Sequence, residues 1–142
     1  MRAFIRLNKG MLGLSTPVRL WLLSLVAVNL VIPLLFIGTS EARVVIGTLL
    51  ISMLLMTGLT AWAGFTRILG LGHILWVPLL LWLWTRLDAI PADDLFGIWI
   101  RVLMVLNGIS LVIDAVDVTR YLNGEREEIV RGPDGATMPI DG

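Results

Sequence analysis

The hydrophobic positions of this chain form long, nearly uncharged runs rather than the alternation of a half-buried β-strand. Residues 20–40 carry no charged side chain, and residues 44–85 carry only Arg67. At about 1.5 Å per residue, a helix of the second run is roughly twice as long as the ~30 Å hydrocarbon core of a bilayer, so the run has to fold back on itself. Three glycines surround Arg67, and we predict the turn of a helical hairpin there.

This pattern predicts an all-α integral membrane protein in which four transmembrane helices form an antiparallel bundle. We place the membrane domain at 17–123, between a basic amphipathic N-terminal segment, 1–16, and a polar cytoplasmic tail, 124–142. The N-terminal segment either lies on an anionic leaflet or only helps to set topology. For the tail, a small hairpin around Pro133 and disorder are the two alternatives. The spans are predicted at about 17–38, 44–66, 72–90 and 95–119.

The composition supports this interpretation. Hydrophobic residues make up 57% of the 142 positions and charged residues only 15%, compared with about 25% charged residues in soluble proteins. A chain of this size cannot bury that much apolar surface in a soluble core, so we expect a lipid bilayer around it. The formal net charge is zero and the basic residues are dispersed, which argues against nucleic acid as a partner. The absence of cysteine excludes disulfides, thiol catalysis and Cys-ligated metal centres.

Lysine and arginine residues set the predicted orientation. If both termini are cytoplasmic, eight of the 11 basic residues fall in cytoplasmic segments, Arg43 and Arg86 fall in outer loops, and Arg101 lies inside a helix. This distribution follows the positive-inside rule, and we predict a protein of the bacterial inner (plasma) membrane with cytoplasmic N and C termini. The first apolar run is longer than that of a signal peptide, so we expect an uncleaved first helix.

The tryptophans give a second indication of the span boundaries. In the four-helix arrangement, three of them fall toward each membrane face, as in the aromatic belts of membrane proteins. We therefore expect these six rings to mark the two interfaces. Trp21, Trp62 and Trp76 fall toward one face, and Trp82, Trp84 and Trp99 toward the other.

Polar side chains of the fourth helix share one stripe, which includes Asn107, Asp114 and Asp117. Because an unsatisfied polar group in hydrocarbon is costly, we expect this stripe to face the bundle interior or a partner. Asp114 and Asp117 then come level with Arg67 and His73, and these four residues form a candidate inner-face polar cluster. One interpretation is a proton or cation site, since histidine titrates near neutral pH and paired carboxylates bind hard cations. The other is a structural ion-pair network that fixes the turn at Arg67.

Asn29, Arg101 and Asn107 are candidate intramembrane polar residues. Arg101 lies about one and a half turns from the outer end of the fourth helix. It either binds an anionic ligand together with one of the asparagines, or its side chain extends to the outer surface and pairs with Asp94 or Glu41. Asn29 precedes a proline in the first span, and we expect it to make an interhelical hydrogen bond or to satisfy a carbonyl that the proline frees.

Motifs of enzymes are absent, because the chain has no Gly-rich phosphate loop, no Gly-x-Ser-x-Gly and no HExxH. One histidine and no cysteine leave too few ligands for a transition metal, so we expect no enzyme activity and no cofactor. Our first hypothesis is a non-catalytic accessory, assembly or scaffolding subunit that acts by helix packing, with a membrane-protein partner or as a homo-oligomer. The alternative is a small oligomeric transporter or channel for protons or for a small ion or solute.

Overall fold

The computed structural model of the protein describes residues 13–127 together with Arg2, Ile5 and Met11. Nine of the 16 residues of the predicted N-terminal segment, and the whole of the predicted tail hairpin, lie outside the described residues. Within them every regular element is helical, which confirms the all-α fold class. The elements are α1 (Thr16–Val26), a π-helical segment (Ala27–Val31), α2 (Ile32–Leu35), α3 (Ser40–Ala63), a 3-10 helix (Arg67–His73), α4 (Trp76–Trp84), a short 3-10 turn (Leu87–Ala89) and α5 (Leu95–Leu122).

Four helical segments are long and apolar enough to cross a membrane. They are Thr16–Leu35, Ser40–Ala63, Arg67–Trp84 and Leu95–Leu122. The third differs most from its prediction, because it begins at Arg67 rather than near residue 72 and ends at Trp84 rather than near residue 90. The reason is local: the chain resumes helical structure three residues after Gly64, as a 3-10 helix that leads into α4.

Gly64 makes the turn that separates the second and third segments. Its φ is 73°, in the left-handed region that glycine adopts without a steric penalty, and it ends α3. Thr66 follows in an extended conformation and is buried. Arg67 is therefore the first residue of a helix, whereas the sequence pattern placed it at the tip of the turn.

A π-helical segment interrupts the first span just before Pro33. In this register each N–H bonds to the carbonyl five residues earlier, as the N–H of Ile32 does with Ala27. Pro33 has no N–H, so the carbonyl of Val28 lacks that donor. Trp99 of α5 fills the gap, because its Nε1 donates to the Val28 oxygen at 2.9 Å. The proline thus creates an acceptor that joins the first span to α5.

The apolar core forms where α4 and α5 pack against the first span and the start of α3. Trp76 and Trp99 belong to this core, with only 2% and 3% of their surface exposed, whereas Trp62 and Trp84 are 74% and 69% exposed. The expectation of belt positions is therefore wrong for Trp76 and Trp99. Their rings pack inside the protein, and that of Trp99 stacks on Phe36 with the ring centroids 5.4 Å apart.

Candidate functional site

The four residues of the predicted polar cluster meet as two pairs between the 3-10 helix and α5. Arg67 Nη1 donates to Asp117 Oδ1 at 2.6 Å, and His73 Nδ1 lies 2.9 Å from Asp114 Oδ2. Arg67 Nε also lies 3.4 Å from Oε2 of Glu125, which follows α5 and was not predicted as a member. We call these five residues the Arg67 cluster.

The 3-10 geometry explains why both pairs form. Such a helix has three residues per turn, so Arg67, Gly70 and His73 fall on one face. On α5, Asp114 and Asp117 are three residues apart and also share a face. A Cβ atom on Gly70 would lie 2.9 Å from the carbonyl oxygen of Asp114, which is closer than real side chains approach. Glycine at position 70 therefore allows the backbones to come together with a charged or polar pair on either side.

The pairs of the cluster are only partly buried. The side chains of the arginine pair are 26% and 28% exposed, and those of the histidine pair 27% and 18%. Glu125 also accepts hydrogen bonds from Arg120, and these bonds hold the pKa of the Glu125 carboxyl below its usual range. Among the described residues no three His, Cys, Asp or Glu side chains are placed to hold a metal ion. The arrangement can exchange a proton between imidazole and carboxylate, and otherwise fixes α5 to the hairpin.

Asn29 and Asn107 form a second polar site, deep in the protein. Each amide nitrogen donates to the other residue's amide oxygen, at 3.0 and 2.8 Å. Asn107 Nδ2 also donates to the carbonyl of Leu103 at 2.9 Å. The two asparagines are 3% and 5% exposed, so the pair is almost completely removed from the surroundings. The structure thus has the interhelical bond expected of Asn29, while Trp99 serves the carbonyl that the proline frees.

Arg101 contacts neither asparagine through a hydrogen bond, and it contacts no predicted carboxylate either. Its guanidinium donates to the carbonyl oxygens of Ile90, Pro91 and Gly97, at 3.1–3.3 Å. The side chain therefore extends toward the start of α5, as a long cationic side chain does when it leaves an apolar stretch. The two carboxylates that were expected to pair with it have other partners: Asp94 caps α5 at the Gly97 N–H, and Glu41 binds Arg86.

The Glu41–Arg86 ion pair is a contact that sequence reasoning missed. Arg86 Nε donates to Glu41 Oε1 at 2.6 Å and joins the start of α3 to the end of α4. Arg43 lies at the same end of the molecule, where it donates to the carbonyls of Ile37 and Gly38. The only signal in the sequence was that Glu41 and Arg86 both flank apolar runs, and this does not specify that they bind each other. We call this region the Glu41 end.

Three buried polar atoms have no hydrogen-bond partner within the described part of the chain. They are Ser52 Oγ, Thr66 Oγ1 and Trp76 Nε1. Ser52 lies one turn from Met56, whose side chain touches Gly72, and Trp76 lies one turn beyond Gly72. The α3–α4 hairpin therefore carries unpaired polar atoms in its two helices, at Ser52 and Trp76, and in its turn, at Thr66.

The class that these features define is a helical protein with four apolar segments, compatible with a multi-pass membrane protein. Comparisons with protein families, with curated proteins and with solved structures find no match to this chain. Any function therefore has to be inferred from the chain's own residues and contacts.

Proposed function

We propose that the chain is a small multi-pass membrane protein that acts as a non-catalytic accessory, assembly or scaffolding subunit through helix packing. In this proposal its four apolar segments form an antiparallel bundle in the inner membrane of a bacterium, with both termini in the cytoplasm. The positive-inside rule supports that orientation, because it puts Arg67, Arg120 and Arg126 on the cytoplasmic side.

Exposed apolar side chains support the membrane environment. Leu35, Leu54, Leu81 and Val112 belong to four different candidate spans, and between 65% and 74% of each is exposed. A soluble monomer rarely exposes a continuous apolar surface, whereas the hydrocarbon of a bilayer solvates such a surface well. Lipid is therefore the first partner that we propose.

One observation carries the accessory role: all of the polar residues that the sequence singled out, except Arg101, are bonded to one another. Asn29 is paired with Asn107, and the two α5 carboxylates are paired with Arg67 and His73. Groups that satisfy each other fix helices in place and leave few donors or acceptors for a ligand. What remains for recognition is the set of exposed helix faces, through which membrane helices associate by close packing.

The proposal is tested by the mass and stoichiometry of the complex that the tagged full chain forms in mild detergent at its native expression level. We expect a fixed complex with another membrane protein or with further copies of the chain. Gly58→Leu is the informative variant, because no atom lies within 4 Å of a Cβ at this position of α3. The protomer tolerates the larger side chain, so loss of the complex would report a neighbour packed on α3.

Gly108→Leu provides the same measurement for α5, where a Cβ also meets no atom within 4 Å. Comparing the two variants locates the partner on one helix or the other. A chain that stays monomeric in detergent and in lipid nanodiscs, with and without these substitutions, would contradict the accessory role.

The unpaired polar atoms of the hairpin favour a second candidate function, a small oligomeric transporter or channel for protons or for a small ion or solute. Ser52, Thr66 and Trp76 lie on the same hairpin as His73 and offer polar atoms that water or a solute can bind. This function requires that His73→Ala and Asp114→Asn each reduce proton flux into proteoliposomes. Equal flux in wild type and in both variants would leave transport without support, and the accessory role would be unaffected.

A further inference from the structure

An open apolar groove of about 400 Å³ runs between α4 and α5. Every side chain along it is apolar, so its occupant has to be apolar as well. Its walls include Val77, Leu81 and Trp84 of α4 and Met104, Val105 and Leu111 of α5.

Arg101 lies on the same face of α5 as one wall of the groove, three and four residues before Met104 and Val105. From Arg101 to Leu111 the helix rises about 15 Å, which is half of the ~30 Å hydrocarbon thickness of a bilayer. The length of α5 from Arg101 to the far end of the groove therefore matches the thickness of one leaflet. The cation lies toward the Glu41 end, and the apolar walls lie further along the helix.

Within the described residues, no carboxylate neutralises the charge of Arg101. Its hydrogen bonds go to backbone carbonyls, and no ion pair involves it within the described residues. A carboxylate is nevertheless close: Asp94 Oδ1 accepts from the N–H of Gly97 at 2.6 Å, while Arg101 donates to the oxygen of the same residue at 3.1 Å. Beyond the groove walls, toward the start of α5, a positive and a negative charge thus lie on either side of Gly97.

We propose that this groove binds one zwitterionic phospholipid whose headgroup carries a primary ammonium. One acyl chain lies along the apolar walls, the phosphate contacts Arg101, and the ammonium contacts Asp94. A guanidinium forms strong charge-assisted hydrogen bonds with phosphate, and a primary ammonium has N–H donors for a carboxylate, which a fully methylated ammonium lacks. The headgroup of phosphatidylglycerol would satisfy Arg101 through the same phosphate but would offer Asp94 no cation. The inference rests on the proposed membrane environment and not on the accessory role.

The test is native mass spectrometry of the purified full chain with three lipids of identical acyl chains: phosphatidylethanolamine, phosphatidylcholine and phosphatidylglycerol. We expect one phosphatidylethanolamine per chain, retained at least about fivefold more strongly than either other lipid. Equal retention of phosphatidylethanolamine and phosphatidylcholine would overturn the proposal, as would a preference for phosphatidylglycerol.

Two headgroup variants test the charges. Arg101→Gln and Asp94→Asn should each remove the preference for phosphatidylethanolamine. Asparagine is as good an N-cap as aspartate, so Asp94→Asn keeps the start of α5 intact and remains informative even if Arg101→Gln fails to fold. Arg43→Gln is the matched control, because Arg43 also donates to two carbonyls at the Glu41 end. An equal loss of preference in Arg43→Gln would show that general charge, and not this site, selects the lipid.

A third variant tests the groove itself. Leu81→Trp fills it and should lower the retention of all three lipids, while Leu54→Trp should not, since Leu54 is similarly exposed but lies on α3. A dimer that Leu81→Trp dissociates would show that a helix of a second copy occupies the groove, and the lipid proposal would then be wrong. These measurements use the isolated chain, so their outcome is independent of whether an accessory partner exists.

Discussion

The Asn29–Asn107 pair and the Arg67 cluster both hold α5 in place, but they do so with opposite chemistry. The asparagine pair is neutral, reciprocal and at most 5% exposed. The cluster is made of charged or titratable side chains. In its pairs Arg67–Asp117 and His73–Asp114, between 18% and 28% of each side chain is exposed. One site is sealed in the core, and the other lies where water or lipid headgroups can solvate its members.

This difference predicts where a single substitution is costly and where it is tolerated. A buried amide that loses its partner is left with an amide oxygen that has no donor, so much of the cost of desolvation remains even though Asn107 keeps its bond to the carbonyl of Leu103. A charged group at a partly exposed end can recover much of its partner's contribution from solvent and ions. We therefore expect single substitutions to cost most at the asparagine pair and least at the margin of the cluster.

The largest expected effect is at the asparagine pair. Asn107→Leu or Asn29→Leu alone leaves one buried amide unpaired and should lower the free energy of unfolding by about 2–3 kcal/mol. The double variant removes both amides and should lie much closer to wild type, because two apolar side chains of similar size replace the pair. Unfolding in mixed micelles, followed by far-UV circular dichroism, measures all three.

Thr57→Val is the control for that cycle, since the Thr57 hydroxyl bonds within its own helix, to Met53. We expect it to change stability by no more than about 0.5 kcal/mol. Additive losses in the double asparagine variant would show that the two amides do not depend on each other, against the comparison drawn above.

The next effect is at the close contact within the Arg67 cluster. Gly70→Ala places a Cβ within 2.9–3.1 Å of three atoms of Asp114 and should push the 3-10 helix away from α5. Overpacking of this kind costs about 1–2 kcal/mol. Gly108→Ala, on α5 in open space, should be neutral or stabilising in the same assay. Equal stability of the two variants would mean that the backbones do not approach as described.

A smaller effect is expected at the ion pair. Arg67→Gln or Asp117→Asn should cost about 0.5–1 kcal/mol, because the pair is partly exposed. The loss should shrink as salt concentration rises, whereas the loss at the asparagine pair should not. Arg19→Gln is a suitable control, since Arg19 is exposed and its side chain, within the described residues, hydrogen-bonds only Thr16 of its own helix. If the loss of stability in Arg67→Gln does not depend on salt, Arg67 stabilises the protein by packing and not by its charge.

The smallest effect is expected at Glu125, whose side chain is 50% exposed in its pairing with Arg120. Since the pKa of Glu125 is lowered in the folded protein, its contribution is present above the unfolded value of 4.5 and disappears as pH falls through the folded value. Wild type should therefore lose slightly more stability than Glu125→Gln when the pH is lowered below about 4.5. If the stability of the two proteins falls equally with pH, Glu125 does not contribute to the stability of the cluster.

The four apolar segments and four of the five members of the Arg67 cluster, all but Glu125, could be predicted from the sequence because they depend on the spacing of residues within each segment. Apolar runs identify helices, and the stripe on α5 puts Asp114 and Asp117 on one face. Which of these residues pairs with which depends on how segments far apart in the chain are aligned along each other, and spacing within one segment does not determine that alignment. The three-residue spacing of Arg67, Gly70 and His73 was visible, but only contact with α5 selects a 3-10 helix over an α-helix there.

Arg101 shows the same limit for loops. Its length and charge predicted a side chain that reaches out of the apolar stretch, yet its partners are carbonyls of the segment 90–97, whose path has no periodic signal.

Trp99 shows the same limit of prediction for aromatic residues. Tryptophan suits both a membrane interface and a buried position with one hydrogen bond, and the carbonyl that it serves became an acceptor through a proline in another helix.

That bond between Trp99 and Val28 has a consequence for the order of events during synthesis. The two residues are 71 positions apart. At about 5–20 residues per second, a ribosome needs roughly 4–14 s to add that stretch after Val28 has been made. For this interval, in the proposed membrane environment, the first segment has a backbone oxygen in need of a donor, which water, a lipid headgroup or the insertion machinery has to supply. The arrival of the last helix ends that requirement, so the chain cannot reach its final backbone pairing until nearly all of its spans have emerged.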